Sequence, residues 1–175
     1  MQKYLVVSAI GQNRTGLIVP FTKAVQDCGC NVIDSRMTVL GDRLAMMMLL
    51  SGSWSAIAKI ENILPRLDEQ LDITTIAERT ELSRHGGNAM PYAVEVVAVD
   101  SIGIVRDITH FFSEREIVIE DFSSGTYTAA RTGTSMFSLH MTIGIPTDMS
   151  IATLRGEFME FCDQLNLDSI MEPVK

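Results

Sequence analysis

Two short stretches hold the residue types best suited to binding chemistry: Gly11-Gln12-Asn13-Arg14-Thr15-Gly16-Leu17-Ile18 and Val99-Asp100-Ser101-Ile102-Gly103-Ile104-Val105. Each lies between an apolar strand-like run, Tyr4 to Ile10 or Tyr92 to Val99, and an amphipathic helical pattern. A strand-to-helix turn of this kind aims free backbone N–H groups at whatever lies in front of it, and the helix dipole favours negative charge there. A carboxylate would sit on the N–H groups of Thr15, Gly16, Leu17 and Ile18, or of Ile102, Gly103, Ile104 and Val105. An ammonium on the same molecule needs oxygen acceptors, for which Asn13, Asp34, Asp100 and Asp121 are the candidates. Asn31, which opens the segment carrying Asp34, joins the candidate set, as do Arg14 and Ser101 in the corners. The plainer alternative is that Asn13, Thr15 and Ser101 cap their helices.

Other chemistries fit less well. Gly11 to Gly16 has the spacing of a phosphate loop, but Leu17-Ile18 follows where that loop requires Lys and then Ser or Thr. Cys28-Gly29-Cys30 offers two thiols, too few for a closed tetrahedral zinc site, and Cys28 falls on an apolar helix face. No nucleophile elbow, zinc-protease pair or dinucleotide fingerprint occurs, so no catalytic residue, metal or cofactor is expected.

The elements that position the corners follow from periodicity. Leu17, Phe21, Ala24, Val25 and Cys28 mark a helix starting near Gly16, with Pro20 bending it or delaying its start. Asn31 to Leu40 and Leu44 to Ser51 read as a hairpin around Gly41-Asp42. A second helix capped by Ser53 or Ser55 carries Ile57, Ile60, Leu64, Leu67 and Leu71, and Pro65 is expected to break or kink it. Asp72 to Thr80 is a fourth strand.

The whole order then recurs. An offset of 87 carries Leu17, Phe21, Ala24 and Val25 onto Ile104, Ile108, Phe111 and Phe112, and Asn31 to Asp34 onto Val118 to Asp121. An offset of 94 carries the second apolar stripe onto Ile151, Leu154, Phe158, Phe161 and Leu165. The seven-residue excess is placed in the Gly125 to Thr134 hairpin, whose mix of polar residues with Tyr127 and Arg131 suits a partner contact. The chain therefore reads as α+β, two tandem ferredoxin-like βαββαβ units over residues 1–80 and 92–175 with a linker at 81–91, each an antiparallel sheet with helices on one face. The unalternated Met46 to Leu50 run reads as a strand covered on both faces, which implies that the halves pack together or against a second chain.

Two such units with a glycine-bearing corner after each first strand resemble ACT domains, the match covering nearly all of the element order in both halves. The corner Asp100-Ser101-Ile102-Gly103 is similar to the family's acidic-residue-then-glycine pattern, and Asn13-Arg14-Thr15-Gly16 replaces the acid by an amide. The resemblance implies a regulatory module that binds an amino acid, often at an interface between two units. For a small stand-alone pair it implies a transcriptional regulator of glycine cleavage that takes glycine and acts through a protein partner, as a homo-oligomer. The alternatives are a regulatory subunit of a metabolic enzyme, or an acyl-phosphate hydrolase in which Arg14 grips a phosphoryl group, as in acylphosphatases of the same fold class.

Composition bounds these readings. Of 175 residues 46% are hydrophobic, 21% are charged and the net charge is −8, which opposes direct binding to a phosphate backbone. No apolar run approaches the ~20 residues needed to span a bilayer, and the N-terminus lacks a signal-peptide pattern. With an odd number of cysteines, a reduced cytoplasmic protein is expected. The purified chain alone is accordingly predicted to give no sequence-specific gel shift at physiological salt, and a tight, sequence-dependent shift without any partner would contradict this.

Overall fold

A computed structural model describes residues 2–82 and 89–174, and the chain divides into two compact units, residues 1–83 and 84–175. The first contains β1 (Lys3–Gln12), α1 (Ile18–Asp27), β2 (Asn31–Leu40), β3 (Arg43–Gly52), α2 (Trp54–Leu71) and β4 (Ile73–Thr80). The second repeats that order as β5 (Ala89–Val99), α3 (Ile104–Ser113), β6 (Val118–Thr128), β7 (Ser135–Pro146), α4 (Ile151–Gln164) and β8 (Asp168–Pro173). The sheets run β2-β3-β1-β4 and β6-β7-β5-β8 with antiparallel neighbours, which is the ferredoxin-like topology in duplicate.

Alternation along the central strands sets each core. Leu5, Val7 and Ala9 of β1 and Leu44, Met46, Met48 and Leu50 of β3 turn inward against Phe21, Ala24 and Val25 of α1 and Ile57, Ile60, Leu64 and Leu67 of α2. In the second unit the positions of Ala24 and Val25 become Phe111 and Phe112. Their rings pack edge to face at 5.2 Å, and Phe158 lies 5.2 Å from Phe111 and 5.0 Å from Phe112. Cys162 is buried in this core, whereas Leu165, assigned to the stripe from its spacing, is exposed.

Several local expectations change. β1 runs two residues past Ile10, so Gly11 belongs to the strand, paired with Leu44 and Ile73. A Cβ there would come within 2.6 Å of the Ile73 side chain, so Gly11 serves close packing. Pro65 does not end α2, which continues from Trp54 to Leu71 with Leu64 and Leu67 both buried, so packing on the flanking turns offsets the missing N–H. Ser53, not Ser55, caps this helix by accepting the Ala56 N–H at 3.1 Å. β5 starts at Ala89 and takes in Pro91, which shortens the expected linker, and His85-Gly86-Gly87-Asn88 lie outside the described residues. The β2–β3 turn comprises residues 41–42 and its counterpart residues 129–134, so Gly125 to Thr128 are strand and only the end of the expected loop is loop.

The Met46 to Leu50 strand is covered by helices on one face only: Met47 is 53% exposed. On the opposite sheet face Ser8 pairs with both Met47 and Ile76, and Ile76 is 65% exposed. Ile10, 51% exposed, extends the same apolar face. A fragment of residues 1–83 is predicted to self-associate in sedimentation velocity and Met47→Arg to reduce that association, because exposed apolar sheet faces seek cover. A freely soluble monomeric fragment would contradict this.

Candidate functional site

Each corner leaves a central strand and turns into a helix through a glycine in the left-handed region, Gly16 at φ +85° and Gly103 at φ +104°. L-residues adopt this conformation at a cost, which accounts for glycine at both positions. The Asp107 N–H donates to Gly103 O at 2.9 Å and closes the first turn of α3. Pro20 occupies the position of Asp107 in the repeat and has no N–H to close that turn, so α1 begins one residue later, at Ile18.

The two corner helices differ from the other two in how they start. α2 and α4 are capped by side chains, with Ser53 accepting from Ala56 N–H and Ser150 from Thr153 N–H. Neither α1 nor α3 has a side-chain cap. Asn13, Thr15 and Ser101 thus leave the capping role unfilled, and the amides at the start of α1 and α3, including those of Ile104, Val105 and Arg106, have no side-chain acceptor among the described residues.

Around this common plan the corners diverge. In the first, the Asn13 N–H donates to Asp42 O at 2.9 Å. The Arg14 guanidinium reaches across to donate to Leu71 O at the last turn of α2, where a cation meets the negative end of the dipole. Arg14 is therefore spent on a helix terminus, which removes the observation favouring a phosphoryl-gripping arginine.

In the second, the Asp100 N–H donates to Ser135 O at 2.9 Å, and the Asp100 carboxylate accepts from the Ser135 hydroxyl at 3.4 Å. That anchors the corner to the start of β7, directly after the longer 129–134 loop. A cleft of about 520 Å³ opens here, lined by Asp100, Ser101, Gly103 and Ile104, by the first turn of α3 and by Ser124, Gly125 and Thr126 of β6 above buried Phe137. Arg106 lines the same cleft and pairs with Asp107 at 3.1 Å. Ile102 points into solvent at the tip of the corner.

Asn31, Asp34 and Asp121 are not brought to the corner of their own unit. Register places Asp34 level with Leu49 and Val6, whereas the first corner follows Gln12. Asp121 is level with Thr142 and Ala93, and its corner follows Val99. Six residues of strand, about 20 Å, separate each aspartate from its corner. Both follow a register shift in the same place, between Val32 and Asp34 and between Ile119 and Asp121, so the irregularity is itself duplicated. Asp34 pairs with Arg36 and accepts from the Ser35 N–H at 2.7 Å.

Ser124, Gly125, Thr126 and Phe137 were not among the residues expected at the site. The alternating strand pattern could have placed the first three on β6, but their proximity to the corner depends on how α3 crosses the sheet. Burial raises the thiol pKa of Cys28, Cys30 and Cys162 above the ordinary cysteine value, so these are packing thiols. No group of three or more metal-ligating side chains occurs among the described residues. Nor is any described helix long and apolar enough to cross a membrane.

The ACT domain family model matches residues 3–78, the first unit. The glycine cleavage system transcriptional repressor of Escherichia coli (strain K12) is 32% identical over 165 residues, covering 94% of this chain and 87% of that protein. The chain belongs to the family of this protein. A crystal structure assigned as a glycine cleavage system transcriptional repressor superposes with a TM-score of 0.76 at 29% identity, covering 100% of this chain and 99% of that one. A Galdieria sulphuraria protein of unknown function shares the fold, with a TM-score of 0.81 at 23% identity and full coverage of both chains. The two corners are thus the turns between first strand and first helix of two consecutive ACT-like units.

The capping difference gives a direct test. Ser53→Ala and Ser150→Ala are each predicted to lose about 1 kcal/mol of stability in urea unfolding. Thr15→Ala and Ser101→Ala are predicted to change it by less than about 0.5 kcal/mol, as surface substitutions without a cap to lose. Equal losses at all four positions would show that the corner side chains cap after all.

Proposed function

We propose that the chain is a non-enzymatic, amino-acid-responsive regulator of transcription, working in the cytoplasm through a protein partner, with glycine the favoured ligand. The second corner is the principal site. The observation that carries this reading is the pair of corner helices without side-chain caps, one of which opens on a cleft that also holds a carboxylate. There the ligand carboxylate takes the N–H groups of Ile104, Val105 and Arg106, and its ammonium takes Asp100. The first corner offers the neutral amide of Asn13 in place of that carboxylate and binds more weakly.

The net charge of −8 supports control through a protein rather than through DNA contact. The exposed edge strands β2 and β6 support assembly with a second copy. Antiparallel pairing of such an edge with the same strand of another copy would carry that copy's Asp34 or Asp121 towards a corner these residues cannot reach in their own unit. The relatives' names favour this reading over a hydrolase, as does the engagement of Arg14 with Leu71 O.

Glycine is expected to raise the melting temperature of the intact chain, because a ligand that binds only the folded state stabilises it by mass action. In calorimetric titration Asp100→Ala is expected to weaken glycine binding by about 1.5 to 3 kcal/mol, the range for a hydrogen bond to a charged group, and Asn13→Ala by less. Gly103→Val should abolish binding, with folding checked separately because its φ is costly for a side chain. Absence of any thermal shift across an amino-acid panel would overturn the reading, and equal effects of Asp100→Ala and Asn13→Ala would overturn the assignment to the second corner.

A further inference from the structure

The Cys28-Gly29-Cys30 turn that ends α1 has no part in either corner. Gly29 bends the chain at φ +79° between the two cysteines, and a spacing of two residues holds their Cα atoms within about 7 Å of each other. A Cβ on Gly52 would come within 3.3 Å of Cys30 Sγ and 3.0 Å of the Ala56 side chain, so this sulfur lies against the start of α2. Burial raises the Cys28 thiol pKa, and the ammonium of Lys59, one helical turn beyond Ala56, opposes the rise. Burial also raises the Cys30 thiol pKa, and Cys28 adds to it as a nearby like charge does. Both sulfurs therefore stand beside the first turns of α2, and both are partly exposed. A cleft of about 440 Å³ opens here, lined by Gly29, Cys30, Asn31, Gly52 and Ser53. The second unit fills the same positions with bulk. Cys30 corresponds to Ile117, and since Asn31 lies opposite Ser51 as Val118 lies opposite Gly144, Gly52 corresponds to Ile145. Ile117 and Ile145 are buried, and Arg115 replaces Cys28 and pairs with Glu157. The first unit alone has the pair of thiols, and its cleft gives solvent access to one of them.

We propose that Cys28 and Cys30 form a two-thiolate site for a soft monovalent metal ion of the Cu(I) class. The site is independent of the corners. On binding, each thiol releases its proton to solvent and donates a sulfur lone pair to the ion, with no change of oxidation state. Thiolate sulfur selects soft ions. Structural zinc and iron–sulfur centres take four ligands, and no group of three or more His, Cys, Asp or Glu side chains able to hold a metal occurs among the described residues. An ion that accepts linear coordination needs only two. Two metal–sulfur bonds of about 2.3 Å, the length thiolate makes with zinc, join sulfurs roughly 4.6 Å apart. That separation is within reach of side chains whose Cα atoms are no more than about 7 Å apart. Charge favours a monovalent over a divalent ion: two thiolates around a monovalent ion keep one negative charge, and the Lys59 ammonium beside Cys28 offsets it. Asp27, the acidic group near Cys28, is already paired with Lys23.

The test titrates the reduced, intact chain without oxygen against Cu(I) held by the coloured competitor bicinchoninate. One equivalent of copper is expected to pass to the chain. Cys28→Ser and Cys30→Ser are each expected to lose it. Cys162→Ser is expected to keep it, because Cys162 is buried in the core of the other unit. Circular dichroism and urea unfolding establish that each variant is folded. X-ray absorption at the copper edge of the unaltered chain needs no variant, and it is expected to show two sulfur neighbours and no other ligand. Copper that stays with the competitor overturns the proposal. So does an equivalent retained by folded Cys28→Ser or Cys30→Ser, or a copper shell containing nitrogen or oxygen.

Discussion

The molecule is built around an unmet requirement at the start of two helices. A helix begins with backbone N–H groups that no earlier turn can accept, and α2 and α4 meet part of that need with Ser53 and Ser150. α1 and α3 do not. Both corner helices follow a central strand of their sheet through a glycine at positive φ, so their uncapped amides are placed at the end of that strand. The same backbone therefore makes an acceptor-seeking surface twice, and the differences between the copies lie in the side chains around it.

Those differences are coherent. In the first unit Pro20 shifts the start of α1, Arg14 is committed to Leu71 O, and the neighbouring strand presents Met37 and Val39. In the second, Asp100 is tied to β7, Arg106 and Asp107 pair at the mouth, and Ser124 and Thr126 complete a cleft. Duplication keeps the core in phase because burial penalises every departure from the alternating pattern. Solvent-facing corner positions carry no such penalty and are free to specialise. The aromatic cluster of Phe111, Phe112 and Phe158, in place of Ala24, Val25 and Leu64 of the first unit, shows that even the interior can be repacked when volume is redistributed between neighbours.

The longer β6–β7 hairpin links the two themes. Its loop follows a strand that lines the cleft, and the residue after the loop, Ser135, bonds the Asp100 corner through both backbone and side chain. An extension that looks from its composition like a partner contact is thus joined to the candidate site.

Much of this was legible in the residues themselves. The repeat, the element order and the two corners follow from apolar periodicity and glycine placement, because burial enforces those patterns wherever a sheet packs under helices. Sequence alone could not decide the course of Pro65, since intrinsic cost argues for a break and only the packing of Leu64 and Leu67 on either side carries the helix through. Nor could it decide that Asn13, Thr15 and Ser101 leave their helices uncapped, because capping depends on side-chain direction as well as on residue type. The placement of Asp34 and Asp121 about 20 Å from their own corners was likewise hidden, since proximity in the chain says nothing about which end of a sheet a residue occupies. Ser124 and Thr126 reach the cleft for the same reason. Local pattern determined what this chain folds into, whereas strand register and helix crossing, set by contacts between residues far apart in sequence, decided which side chains share a site.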